Sequence, residues 1–104
     1  MKWPNKDPNE TLDYSLDWSR FLRTGETISS SVWFITNSSG EVVSFDSGDT
    51  VDSLTNVVNT NSTSITTINL SGGNSNTLYK LVCRVTLSTG FVAERSVSLY
   101  IKER

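Results

Sequence analysis

Enzymatic chemistry usually rests on an activated nucleophile, a tuned pair of carboxylates or a metal centre, and this sequence is poor in all three. It has no histidine and one cysteine, Cys83. That excludes tetrahedral zinc sites built from His and Cys, and equally the Ser-His and Cys-His nucleophilic arrangements. Asp13 and Asp17 are four residues apart, which on one strand face separates them by about 13 Å. Glycosidase pairs need about 5–9.5 Å, so a solvated strand face is the expected role. Asp46-x-Gly48-Asp49-x-x-Asp52 has a faint likeness to a calcium loop but lacks the regular ligand ladder and the closing Glu. It reads as an Asp-rich turn. Gly72-Gly73 lacks the following Lys and the spacing of a phosphate loop. Neither enzyme, cofactor nor metal is expected. Tyr14, Trp18 and Trp33 suit a core, and an aromatic carbohydrate patch requires one of them to be exposed.

Composition narrows the partners. Net charge is -2, and the Lys and Arg residues are scattered from Lys2 to Arg104. No stripe matches a phosphate backbone, so nucleic acid is not an expected partner. No apolar run reaches membrane-spanning length, so no membrane partner is expected either. A single cysteine permits no intramolecular disulfide, and Met1 to Pro8 contains no signal-like apolar stretch. Folding in a reducing compartment follows as the expectation.

The elements that position these residues are strands. Apolar residues make up 36% of the chain, while Ser, Thr and Asn exceed a third; Thr favours strands, and Ser and Asn favour turns. Residues 1–11 hold both prolines and read as an extended arm, with residues 12–104 as a single domain. Trp3 either folds onto its own domain or docks on a neighbouring subunit. Leu12, Tyr14, Leu16 and Trp18 alternate with polar residues, which predicts a half-buried strand. A second strand spans Thr27 to Thr36, apolar on both faces at Val32 to Ile35 and therefore central in its sheet. Asn37 to Gly40 is a turn and Glu41 to Phe45 a short strand. Asp46 to Asn61 reads as a loop with a short strand near Asn56 to Val58; one helical face through Val51, Leu54, Val57 and Val58 is the weaker alternative. Ser64 to Leu70 is a strand and Ser71-Gly72-Gly73-Asn74 a loop. Tyr79, Leu81, Cys83, Val85 and Leu87, then Phe91, Ala93, Val97, Leu99 and Ile101, form the inward faces of a long hairpin turned at Ser88-Thr89-Gly90. Cys83 behaves there as a small apolar residue. About 6–7 short strands in such a length predict an all-β, immunoglobulin-like sandwich, with a small closed barrel as the alternative.

Two stretches carry a resemblance. Trp3-Pro4-x-Lys6-Asp7-Pro8 leads into Leu12-Asp13-Tyr14-x-Leu16-Asp17-Trp18-Ser19, and Leu70-Ser71-Gly72-Gly73 is followed by Tyr79 and Glu94-Arg95-Ser96. Together they are similar to short bacteriophage and prophage structural proteins, in particular fiber–tail adaptors. The resemblance implies a virion component assembled in the bacterial host cytoplasm, with other phage structural proteins (tail, portal or fiber) as partners and self-association in several copies. An adaptor engages neighbours through arms and loops. The residues expected to do so are Trp3, Pro4, Lys6, Asp7 and Pro8 in the arm, with Asp52, Leu54, Gly72, Gly73 and Asn74 in the loops. The alternative is an Ig-like binding module for capsid decoration or carbohydrate recognition.

Overall fold

The computed structural model describes residues 1–103. Eight strands make two antiparallel four-stranded sheets. The first sheet has the order β1 (Thr11–Asp17), β6 (Ile65–Gly72), β5 (Leu54–Asn61), β4 (Thr50–Val51). The second runs β3 (Val42–Ser44), β2 (Ile28–Thr36), β7 (Thr77–Leu87), β8 (Val92–Ile101). Period-two alternation sends one set of side chains from each sheet into a shared interior. Leu16, Trp18, Ile68 and Leu70 meet Trp33, Ile35, Leu81, Cys83, Leu99 and Ile101 there, all buried. The longest ladder joins β7 to β8, from Thr77 opposite Ile101 to Thr86 opposite Val92. β2 is internal to its sheet, between β3 and β7, in keeping with its apolar residues on both faces.

The N-terminal segment is extended but does not project. Trp3 N donates to Ser98 O at 2.9 Å and Lys6 N to Tyr100 O at 3.0 Å, while Lys102 N donates back to Lys6 O at 2.9 Å. The segment thus runs parallel to β8 and covers half of its open edge. Trp3 is 6% exposed. Its ring stacks on Tyr14 with centroids 4.8 Å apart and tilts against Trp33 at 5.8 Å. Of the two expectations for this residue, the structure follows docking on its own domain, because the slot between the edges of β1 and β8 admits a large aromatic ring.

Asp46 to Asn61 departs from the expected loop. It holds β4 and a full eight-residue strand, β5, paired with β6 from Leu54–Gly72 to Asn61–Thr66. Helix is absent here. A register shift between Asn56 and Val58 leaves both Val57 and Val58 exposed, so the alternation that marks a strand is broken at its centre. The buried position nearby belongs to Asn56, whose amide donates to Phe45 O at 2.8 Å and to Asn59 Oδ1 at 2.9 Å. A polar residue facing inward hides a strand from hydropathy patterning. β6 also runs two residues further than expected, through Ser71 and Gly72.

Phe91 is the other departure, 56% exposed rather than inward. It lies at the hairpin tip, beyond the last paired residues Thr86 and Val92. Parity points a side chain into the core only where the facing sheet continues. Here the Arg23 guanidinium covers the ring instead, 5.0 Å from its centroid.

Candidate partner interfaces

No catalytic constellation assembles among the described residues. Among the described residues no cluster of three or more His, Cys, Asp or Glu side chains is arranged to hold a metal ion. Asp49 Oδ2 accepts from the Asp46 amide at 2.8 Å, which makes that pair a turn. Asp52 points elsewhere, toward Ser38. Burial pushes the Cys83 thiol up to about 11, opposed by a contact with Thr66; a neutral thiol is a poor nucleophile. Tyr14, Trp18 and Trp33 all lie in the core, leaving none of them for a glycan platform. The functional candidates are therefore the two loop-bearing ends.

One end gathers the turns at 37–40 and 52–53, residues 73–76 and residues 7–10. Asp52 and Ser53 both have positive φ (48° and 71°), the backbone of a two-residue hairpin turn. That turn packs on the 73–76 loop through one tyrosine. The Tyr79 hydroxyl donates to Asp52 O at 2.6 Å and accepts from Asn74 N at 2.8 Å. Asn74 Nδ2 also donates to Asp52 O at 3.1 Å, and Gly73 N to Ser53 O at 2.8 Å. Burial raises the Tyr79 pKa, so the hydroxyl keeps the proton it donates. On the outer side Ser38 N donates to Asp52 Oδ2 at 2.7 Å. Between these groups lies an open cleft of about 310 Å³, bordered by Thr36, Ser38, Asp52, Asn74, Leu78 and Tyr79. Lys6 closes the end from the other side. Its side chain is fully buried, and Nζ donates to Gly72 O at 2.7 Å and Asp7 O at 2.9 Å. Burial lowers its pKa, against the opposing fields of Glu10 and Asp7.

The residues expected to meet partners thus divide. Lys6, Asp7, Asp52, Gly72, Gly73 and Asn74 converge on this end, with Asn74 exposed and Asp7, Asp52 and the glycines half-buried. Pro4 and Pro8 lie on the segment leading into it, and Pro4 O accepts from the Tyr14 hydroxyl at 3.4 Å. Trp3 and Leu54 are buried, Leu54 completely. Leu54 lies directly beneath the 52–53 turn, whereas Trp3 packs farther along, against Tyr14 and Trp33, and neither offers a contact surface.

The opposite end is formed by residues 18–27 and 88–91. Glu26 is nearly buried, and its carboxylate accepts from Thr89 Oγ1 at 2.5 Å and Arg23 N at 3.0 Å. These bonds, Thr89's first, hold its pKa below the usual carboxylate range. Asp17 is likewise lowered, chiefly by the Ser19 backbone amide. The Glu26–Thr89 bond joins the two loops around a cleft of about 290 Å³ bordered by Phe21, Arg23, Leu87, Phe91 and Val92. Phe21 and Val92 are 49% and 59% exposed. Sequence reasoning missed this end because parity placed Phe91 inside. It also missed Tyr79 as a polar anchor, because alternation marks it only as an inward residue of β7.

The comparisons with known proteins agree with an assembly role. The family model described as Podophage GP4 fiber-tail adaptor protein gp77 matches residues 6–100. No curated protein matches the chain.

Proposed function

The chain belongs to the podophage fiber-tail adaptor family, and from that premise we propose that it bridges the tail or portal region to a fiber, several copies acting together. The observation that carries this reading is the family match, which spans nearly the whole sandwich. The family description supports a virion component that contacts other tail and fiber proteins, in a structural rather than a catalytic role. Assembly in the host cytoplasm suits a chain whose one cysteine is buried and free. The exposed and half-buried members of the first end, namely Pro4, Asp7, Pro8, Asp52, Gly72, Gly73 and Asn74, are the proposed partner contacts. Lys6 and Leu54 support them from within, and Trp3 anchors the N-terminal segment to the body of the sandwich.

We also read the sandwich as immunoglobulin-like. What supports this is the order of the ladders: β1-β6-β5 and β3-β2-β7-β8 parallel the B-E-D and C′-C-F-G orders, with residues 2–6 beside the last strand. Trp33 then occupies the core position of strand C, and Tyr79 the tyrosine corner of strand F. Such a scaffold presents loops at both ends of a rigid body, which a bridging protein requires.

Particles assembled with and without this chain test the role. Peptide mass spectrometry of gradient-purified wild-type particles should find the chain at several copies, and particles lacking it should retain tail proteins but lose the fiber. Absence from purified particles, or an unchanged fiber content, would reject the adaptor reading.

A further inference from the structure

The N-terminal segment is gripped at separate points instead of along a continuous ladder. Its backbone meets β8 and the residue after it at Met1, Trp3 and Lys6: Ser98 N donates to Met1 O at 3.1 Å, Trp3 N to Ser98 O, Lys6 N to Tyr100 O and Lys102 N to Lys6 O. Pro4, between these points, has no N–H to contribute. Two side chains complete the grip. The Trp3 ring lies against Tyr14 and Trp33 with Nε1 donating to Ser15 O, and Lys6 Nζ donates to Gly72 O. All of these receiving groups lie within residues 14–102, beyond the connection formed by residues 7–10. The slot is therefore complete without that connection. It opens at the side where β1 and β8 are both sheet edges, so a strand can enter from outside without parting the sheets. The connection is a turn with short-range bonds: Glu10 N to Asp7 O at 3.0 Å, Asp7 N to Glu10 Oε1 at 2.9 Å and Asn9 N to Asp7 Oδ1 at 2.8 Å. Pro8 fixes its own φ and biases Asp7 toward extended backbone, which favours a straightened connection once those bonds are released.

We infer that two copies of this chain exchange their N-terminal segments, residues 1–6 of each lying along β8 of the other with Trp3 in the other's slot. The occupant of the slot is fixed by what already fills it: a second copy carries the same tryptophan, the same lysine and the same spacing between them. An exchanged pair repeats the contacts of the closed chain, so the two forms differ by the 7–10 turn and by the entropy of association. The closed chain is the dilute form, and the exchanged pair is the form at high concentration. Copies held side by side meet that second condition. Exchange is slow, because the Trp3 ring must leave the core before it can enter another. The inference rests on the proposed adaptor role only for the closeness of copies, and its test needs no other phage protein.

Disulfide trapping between chains reads the exchange. Lys2 and Ser98 are register partners, Lys2 exposed and Ser98 half-buried, and neighbouring strands lie within the span a disulfide bridges. Cys83 is buried and stays out of the reaction. Full chains carrying Lys2→Cys or Ser98→Cys singly are mixed at high concentration, warmed so that segments can leave their slots, and then mildly oxidised. The mixture should give a covalent heterodimer about tenfold or more above that of Lys2→Cys mixed with Thr60→Cys, because exchange holds the first pair of thiols together while the second meets only by collision. Thr60 is exposed on the other sheet. A yield no higher than this control overturns the inference. The doubly substituted chain, oxidised when dilute, should close within one copy and run as a monomer. If that bond does not form, deletion of residues 8–9 decides instead. It removes the turn that lets a chain close on itself, so the shortened chain should sediment as a dimer, and a monomer overturns the inference. Particle mass spectrometry decides the adaptor role independently of both.

Discussion

At Lys6 the chain places an ammonium in the interior, an expensive choice unless its donors are used. Here they tie the N-terminal segment to the end of β6 and to the turn that follows. Lys6→Ala should lower unfolding free energy by roughly 1–3 kcal/mol, since the Gly72 carbonyl loses its partner and the stem its packing. Lys6→Met keeps the packing and should lose less; urea unfolding separates the two. The Gly72 position is tied as closely. Its φ is +73°, and a Cβ there would lie 2.4 Å from Ser53 O, a backbone atom that cannot swing aside. Gly72→Ala should therefore cost at least about 1–3 kcal/mol. Glu26 sets the acid behaviour of the other end. Its folded pKa lies below its ordinary value of 4.5. Stability from this group is present above the ordinary value and is lost as pH falls through the lower folded value. Thermal melts from pH 6 to pH 3 should show a shallower acid decline in Glu26→Gln than in wild type, and equal slopes would remove Glu26 from that role.

At the scale of elements, the N-terminal segment behaves as a ninth strand that carries one of the three tryptophans of the core. Its backbone bonds to β8, while the Trp3 indole N–H donates across to Ser15 O of β1 at 3.3 Å. One residue thereby fastens the two sheets at the side where β1 and β8 are both edges. Trp3→Ala should cost about 3–5 kcal/mol, as emptying a large buried aromatic site does, and a differential scanning calorimetry trace would register it directly. Removing residues 1–10 would likewise disturb the fold before it disturbed any assembly. The sequence made the hairpin of β7 and β8 plain, because Tyr79, Leu81, Cys83, Val85 and Leu87 on one strand and Val97, Leu99 and Ile101 on the other are buried at every second position of a ladder long enough to show it. β1 and β2 were equally plain. β5 was not: its bulge and buried Asn56 replace the pattern with one that only tertiary hydrogen bonds explain. The resemblance supplied Lys6, Asp52, Gly72 and Asn74 as contact candidates in an arm and two loops, but not their convergence, since no local pattern records that three loops and an N-terminal segment share one end.

For the whole molecule the question is whether two sheets of unequal ladders move as one body. The bridging role proposed above needs them to. The structure spans 42 × 26 × 22 Å, with loops at the ends of the long axis and a continuous core between. Fastening between the sheets comes from that core, from cross-sheet bonds at the side where β1 and β8 are edges, and from a buried contact between the internal strands β6 and β7. Trp3 Nε1 and Arg95 Nη1 reach the β1 carbonyls of Ser15 and Asp17, and Trp18 Nε1 donates to Thr66 Oγ1 at 3.0 Å, which in turn accepts from the Cys83 thiol of the facing sheet. Native-state hydrogen exchange should therefore find the slowest amides of β6 and those of β7 opening with the same free energy, the global one. Turn amides at 38–40 and 88–91 should exchange much faster, which leaves the ends free to adapt while the body stays rigid. In Trp3→Ala the two sheets lose a shared fastening, and β1 amides should then open ahead of β7. If β6 and β7 already differ widely in the wild type, the sheets are separate cooperative units, and a rigid bridge between tail and fiber would have to come from neighbouring copies instead of from this fold.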